Sequence, residues 1–107
     1  MKPSIAVTAL GALAHETRLQ IFRLLVQAGP EGLAVGRIAE LIGTEANGRL
    51  TFHLKELVGA QLATSVQSGR NVFYSANYNA MNDLLAYLTE QCCSGQPCGE
   101  AIPPCKP

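Results

Sequence analysis

Apolar residues recur at intervals of three and four along most of this chain, and the interval shortens to two in one stretch after Leu62. Spacing of the first kind marks amphipathic helices and spacing of the second marks a half-buried strand. The segment Gly43 to Leu62, G-T-E-A-N-G-R-L-T-F-H-L-K-E-L-V-G-A-Q-L, is the most asymmetric of the helical candidates. At about 100° per residue, Leu50, Leu54 and Leu57 stack into a narrow apolar stripe. Gly48, Arg49, Phe52, Lys55 and Glu56 fall on the far side, with Asn47 and Thr51 on the flank. Such a helix is anchored by one face and presents the other. What it presents are cations, an amide and a hydroxyl, the donors that a DNA major groove accepts.

The remaining elements follow from the same reading. Residues 4 to 14 form a first short helix with Ala6, Ala9, Leu10 and Leu13 at helical spacing. A second begins at His15 and repeats Leu19, Phe22, Leu25 and Val26, with Gly29 and Pro30 as its stop signal. Gly32 to Val35 is a short loop or edge strand. Val35 to Ile42 is a helix with Ile38, Ala39 and Ile42 facing inward, closed by Gly43, and Thr44 offers an N-cap region for the next. Two short helices joined by so tight a turn match a helix-turn-helix, in which the second helix reads DNA. From Leu62 the pattern L-A-T-S-V-Q, S-G-R, N-V-F-Y-S-A gives two strands around a Ser68-Gly69 turn, with Val66, Val72 and Tyr74 as β-formers. The last helix runs from about Tyr78 to Cys92 on a stripe of Met81, Leu84, Leu85, Leu88 and Cys92.

The expected architecture is therefore mainly α with a β-hairpin wing: a winged helix-turn-helix with extra N- and C-terminal helices. Those two helices carry apolar stripes yet lie outside the minimal winged-helix core, so their simplest joint use is a dimer interface. Dimerisation would also set two reading helices about one DNA turn apart, ~34 Å. Residues 1–93 make up the DNA-binding and dimerisation domain in this reading, and residues 94–107 a Gly- and Pro-rich tail.

Composition narrows the picture. The 107 residues, 48% apolar and 15% charged, suffice for one small domain with a core. A formal net charge of zero argues against an unspecific polyanion binder. Arg37, Arg49, Lys55 and Arg70 are interleaved with Glu40, Glu45 and Glu56, so any nucleic-acid surface must be a local patch. No run reaches the roughly 18 apolar residues that span a bilayer, and Met1 to Ala14 lacks the pattern of an export signal. A cytoplasmic protein is expected. All four cysteines fall between Cys92 and Cys105. In a reducing compartment, thiols gathered at one end point to a soft-metal or redox site more than to a disulfide framework.

Three segments, A-L-A-H-E-T-R-L-Q-I-F-R-L-L (12 to 25), R-L-T-F-H-L-K-E-L (49 to 57) and S-G-R-N-V-F-Y-S (68 to 75), resemble the ArsR/SmtB metal-sensing transcriptional repressors. The resemblance covers residues 5 to 93 or so. It implies a homodimeric winged helix that represses its operator, double-stranded DNA, and releases it when a toxic metal or metalloid binds. With the second helix of the helix-turn-helix as the reading helix, Asn47, Arg49, Thr51, Phe52, His53, Lys55 and, at the hairpin tip, Arg70 are the candidate DNA contacts. Two positions depart from the family pattern. Gly48 stands where serine or proline is common and loosens the first turn of the reading helix. Gln61 stands where glycine is common, in a backbone conformation that glycine takes more easily.

The family places its inducer site variably. The helix before the reading helix, V-G-R-I-A-E-L, holds no cysteine, and no histidine follows His53, so two family variants are absent. Cys92, Cys93 and Cys98 remain, resembling arsenic-sensing members with a vicinal cysteine pair at the end of the last helix and a third nearby. Trivalent arsenic is thiophilic and takes three sulfurs in a trigonal pyramid, a soft ion for soft ligands. Antimony(III) and organoarsenicals share that chemistry. Ser94-Gly95-Gln96-Pro97 can turn Cys98 back over the pair. Zinc would want a fourth ligand, which Cys105 could supply from a longer loop.

Plainer readings stand beside these. Cys92 alone is a small hydrophobe that completes a helix stripe, and the non-metal rival for the cluster is a redox switch in which Cys98 or Cys105 forms a disulfide with the pair. His53 lies between the two faces, suited to packing or to DNA. Phe52 points outward, suited to a thymine methyl or to covering the wing, and Arg70 to a phosphate or to solvent. Asp83 and Glu90 read as the wet face of the last helix. His15-Glu16 lacks the second histidine of a zinc-protease motif, since Leu19 occupies its place. No phosphate loop or nucleophile and base pair is visible, so no enzyme is expected.

Overall fold

The computed structural model describes residues 1–91. Five helices and three strands occur there in the order α1 (Pro3–Leu13), α2 (Glu16–Ala28), β1 (Leu33–Ala34), α3 (Val35–Ile42), α4 (Gly48–Gly59), β2 (Ala63–Ser68), β3 (Asn71–Ala76) and α5 (Tyr78–Leu88). The core lies where α2 crosses α4 and the sheet: Ile21, Leu25, Ile38, Leu54, Leu57 and Leu62 are its largest fully buried side chains. Each such residue contributes on the order of 1.5–3 kcal/mol by burial.

The wing is a three-stranded antiparallel sheet in the order β1-β3-β2. Two residues of the segment read as loop or edge strand pair with β3, Leu33 opposite Tyr74 and Ala34 opposite Phe73. Gly32 permits this approach: at φ +77° its hypothetical Cβ would lie 2.4 Å from the Tyr74 carbonyl oxygen. The β2–β3 hairpin closes through Gly69 and Arg70, with Ser68 opposite Asn71. That places the turn one residue later than the sequence pattern suggests, because Gly69 supplies the positive φ of +63° that a two-residue loop demands.

The helix boundaries have local causes. α1 opens on Pro3, whose fixed φ suits a first helical position. It buries Ala6, Ala9 and Ala12, not Leu10, because alanines at this spacing let α1 lie close on its neighbours. α2 buries Ile21, Phe22 and Leu25 and leaves Leu19 exposed, a rotation of the expected stripe. The carbonyls of Leu25 and Val26 near its end accept the Tyr78 hydroxyl at 3.3 and 3.0 Å. That contact anchors the start of α5 to α2. α5 ends at Leu88, one turn earlier than Cys92, with Thr89 as its cap and Gln91 at φ +57°. Of its stripe Leu84 is buried, whereas Leu85 and Leu88 are exposed. They join Ile5, Val7 and Leu10 of α1 as large apolar side chains open to solvent on the two helices that touch each other.

Candidate nucleic-acid interface

The reading helix is fixed at both ends. Gly43 ends α3 in the left-handed region at φ +76°, with Thr44 N–H bonded to the Ala39 carbonyl at 2.9 Å and Gly43 N–H to Glu40 at 3.3 Å. This is a Schellman closure, and it commits residues 44–46 to a turn. α4 is then capped by Asn47, not by Thr44, because the Asn47 Oδ1 accepts from Leu50 N–H at 3.1 Å and satisfies an orphan donor. A Cβ at Gly48 would meet nothing within 4 Å, so the missing side chain there leaves open space.

At the other end Leu62 N–H bonds the Leu57 carbonyl and Gln61 N–H bonds Val58, both at 3.0 Å. This second Schellman closure places Gln61 at φ +67°, a region that costs an L side chain roughly 1–2 kcal/mol. The departure from glycine read in the sequence is thus a strained residue. Asn77 holds the strained segment from outside: its Nδ2 donates to the Gln61 carbonyl at 2.9 Å, and its N–H to the Leu62 carbonyl at 2.9 Å. The same side chain caps α5 by accepting from Ala80 N–H at 3.1 Å. One residue therefore ties the end of α4 to the start of α5.

Between these ends the sequence-derived division of faces holds, with one exception. Leu50, Leu54 and Leu57 are buried, while Arg49, Phe52 and Lys55 are exposed and Thr51 is half-buried. Asn47 is exposed but its Oδ1 is committed to the cap, leaving its Nδ2 donors. Arg70 sits apart, exposed in the hairpin turn. Among the described residues Arg37 pairs with Glu40 at 2.9 Å, whereas Arg49, Lys55 and Arg70 form no ion pair, so their charge is available to a polyanion. A cleft of about 210 Å³ opens beside the first turn of α4, lined by Thr17, Gln20, Thr44, Asn47, Arg49 and His53 among others.

The exception is His53, which turns inward and is 7% exposed. Its Nδ1 accepts from Arg18 Nε at 3.2 Å, and its ring lies 4.6 Å from that of His15. A ring so enclosed is withdrawn from the outward set. Burial, and then the positive charge of His15, Arg18 and Arg49, hold its pKa below the ordinary 6.5 against a weaker opposing pull from Glu56. The guanidinium of Arg18 also lies over the Phe52 ring, 5.6 Å from its centre, so Phe52, though 53% exposed, is held on one side. His15 caps α2, its Nδ1 accepting from Thr17 N–H at 3.2 Å. Neither Arg18 nor Asn77 stands out in the sequence. Arg18 and His53 are 35 residues apart, and no local periodicity pairs them.

Cys92, Cys93, Cys98 and Cys105 lie outside the described residues. Within the described part, no group of three or more His, Cys, Asp or Glu side chains could hold a metal ion, and no helix is long and apolar enough to cross a membrane.

Comparison with known proteins places this geometry. A helix-turn-helix domain model matches residues 13–66. No curated protein matches the chain. Among solved structures, reduced HlyU from Vibrio cholerae N16961 is 30% identical, over 82% of this chain and 92% of that one, with a TM-score of 0.63. An ArsR-like transcriptional regulator from Rhodococcus sp. RHA1 shares the fold at a TM-score of 0.70 and 24% identity, over 86% and 82% of the two chains. A homodimeric winged helix-turn-helix DNA-binding domain from Mycobacterium bovis, described as a possible ArsR-family regulator, does so at 0.65 and 20% identity, over 91% and 89%. The chain belongs to the helix-turn-helix domain family and is a relative of HlyU, with a winged-helix fold that it shares with the two ArsR-like structures.

Proposed function

We propose that this regulator is a homodimeric repressor that binds operator DNA through the outer face of α4 and the wing, and lets go when trivalent arsenic binds Cys92, Cys93 and Cys98. Antimony(III) and organoarsenicals are inducers of the same chemical class. The observation that carries the DNA half is the outer face of α4, where Arg49 and Lys55 stand exposed, without ion-pair partners among the described residues, beside the Nδ2 donors of Asn47. Arg49, Lys55 and Arg70 take phosphates or base edges, and Phe52 and Thr51 supply apolar contact and a hydroxyl.

Dimerisation through α1 and α5 is supported by the exposed Ile5, Val7, Leu10, Leu85 and Leu88. The M. bovis relative is itself described as homodimeric. The cysteine cluster follows α5 directly in the sequence, so an inducer bound there acts on the helix whose first residue is capped by Asn77. Through the Asn77 bond to Gln61 a displacement of α5 reaches the end of α4. Release then requires the inducer to favour the weakly binding arrangement by a coupling of about 1–3 kcal/mol.

The test is arsenite titration of the DNA complex. Wild type releases DNA, and Cys98→Ser binds DNA but retains it; release by that variant would remove Cys98 from the site. X-ray absorption on the loaded protein counts three sulfur neighbours in this reading. A second reading, a thiol redox switch, is favoured by one observation: the HlyU relative is described specifically in its reduced form. It predicts release by peroxide without metalloid, reversed by dithiothreitol.

A further inference from the structure

The inner edge of α4 carries a contact that DNA reading alone does not call for. Arg18 reaches from α2 to two consecutive residues of the reading helix, donating to His53 Nδ1 at 3.2 Å and lying over Phe52 at 5.6 Å. His53 is buried while Phe52 is more than half exposed, so one guanidinium grips both sides of the helix. A histidine nitrogen accepts a hydrogen bond only when it carries no proton. The contact therefore requires neutral imidazole with its hydrogen on Nε2. An imidazolium would turn an N–H toward the Arg18 N–H, with donor facing donor and cation facing cation.

Among the described residues a single carboxylate, Glu56, favours the protonated ring. Among the described residues, the charged or titratable groups that face His53 are His15 at the cap of α2, Arg18 of α2, and Arg49 and Glu56 of α4 itself. α1 and β2 also pack on α4, and neither contains an ionisable side chain. Three groups of cationic type thus stand against one carboxylate, in a site sheltered from water.

We propose that Arg18 is a positioning residue for DNA reading, holding α4 through neutral His53 and Phe52, and that protonation of His53 opens this clamp and makes operator affinity acid-sensitive. The proposal rests on the reading of α4 as the DNA-contacting helix. Folding follows the same sign. The unfolded histidine takes up its proton near the ordinary 6.5 and the folded one only at lower pH, so between those values the unfolded chain holds more protons. The contribution of His53 to stability is complete above the unfolded value and is lost as pH falls through the folded one.

The experiment measures Kd for a duplex enriched by this protein from a random pool, at pH 7.5 and 5.5 and fixed ionic strength. Wild type loses affinity on acidification, by less than the roughly tenfold that one group titrating at the ordinary 6.5 could supply at pH 5.5, because the pKa of His53 is lowered. His53→Gln, which keeps an acceptor for Arg18 but cannot titrate in this range, brings the ratio of the two Kd values to about one. A wild-type affinity that stays level or rises in acid overturns the proposal, as does an unchanged loss in His53→Gln. NMR titration of the His53 ring needs no DNA. Its midpoint rises in Arg18→Ala if Arg18 holds the neutral form, and an unmoved midpoint overturns the clamp. Failure to enrich any duplex at pH 7.5 would defeat the DNA reading itself, while the NMR arm still decides whether Arg18 and His53 are coupled.

Discussion

On the inner face of α4, Leu50, Leu54 and Leu57 are buried against α2 and the sheet, and any volume change there is felt throughout the core. On its outer face Arg49, Phe52 and Lys55 meet solvent, and Arg49 and Lys55 have no ion-pair partner among the described residues. The inner set determines where the helix lies and the outer set what it offers. Residues on the two sides are one or two positions apart in the sequence, so the same segment must satisfy a packing rule and a recognition rule at once. Where both meet, at Phe52 and His53, a third element enters in the form of Arg18 from α2. Stability and recognition are therefore nearly separable along α4, and they are coupled at its edge.

Substitutions can break that separation. Leu54→Ala removes a fully buried side chain and should lower unfolding free energy by about 2–5 kcal/mol, read by urea denaturation. Equal stability of the variant would mean that the inner face does not anchor the helix. On the other side, Arg49→Ala and Lys55→Ala should each weaken DNA binding and reduce the slope of log K against log salt by about 1 where a phosphate contact is lost. Their unfolding free energies should stay within about 0.5 kcal/mol of wild type. A large stability loss in either would show that the outer face also holds the fold. The smallest effect belongs to the end of the helix. Gln61→Gly relieves a left-handed glutamine and should stabilise the protein by about 0.5–1 kcal/mol, the relief of strain being partly offset by the freer unfolded glycine. No gain in thermal midpoint would indicate that the Asn77 clamp already absorbs the strain.

Periodicity made the inner face legible, because Leu50, Leu54 and Leu57 repeat at intervals that only a helix aligns. The wing was legible from its alternation and from Gly69. The third strand was harder to see, since Leu33 and Ala34 are too short to show a period and pair only because Gly32 lets the backbones meet. The phase of α1 and α2 was hidden for a related reason: apolar residues occur on more than one side of each helix, and the sequence alone does not say which side meets the core and which is left exposed, as Leu10 and Leu19 are. His53 was placed on the boundary by the helical wheel, but its inward turn depends on Arg18, 35 residues away, and tertiary partners at that distance leave no local signal. Asn47 and Thr44 are both good caps; the Schellman closure at Gly43 decided between them.

In the proposed function two copies of α4 read DNA together. Selection from a random duplex pool tests it most directly. A dimer that reads DNA through both helices enriches a two-fold symmetric site with half-sites one helical turn apart, about 10 bp, or a multiple of it. That enrichment is lost in the Arg49→Ala, Lys55→Ala double variant. A pool that stays random, or a double variant that enriches the same site as well as wild type, would contradict it.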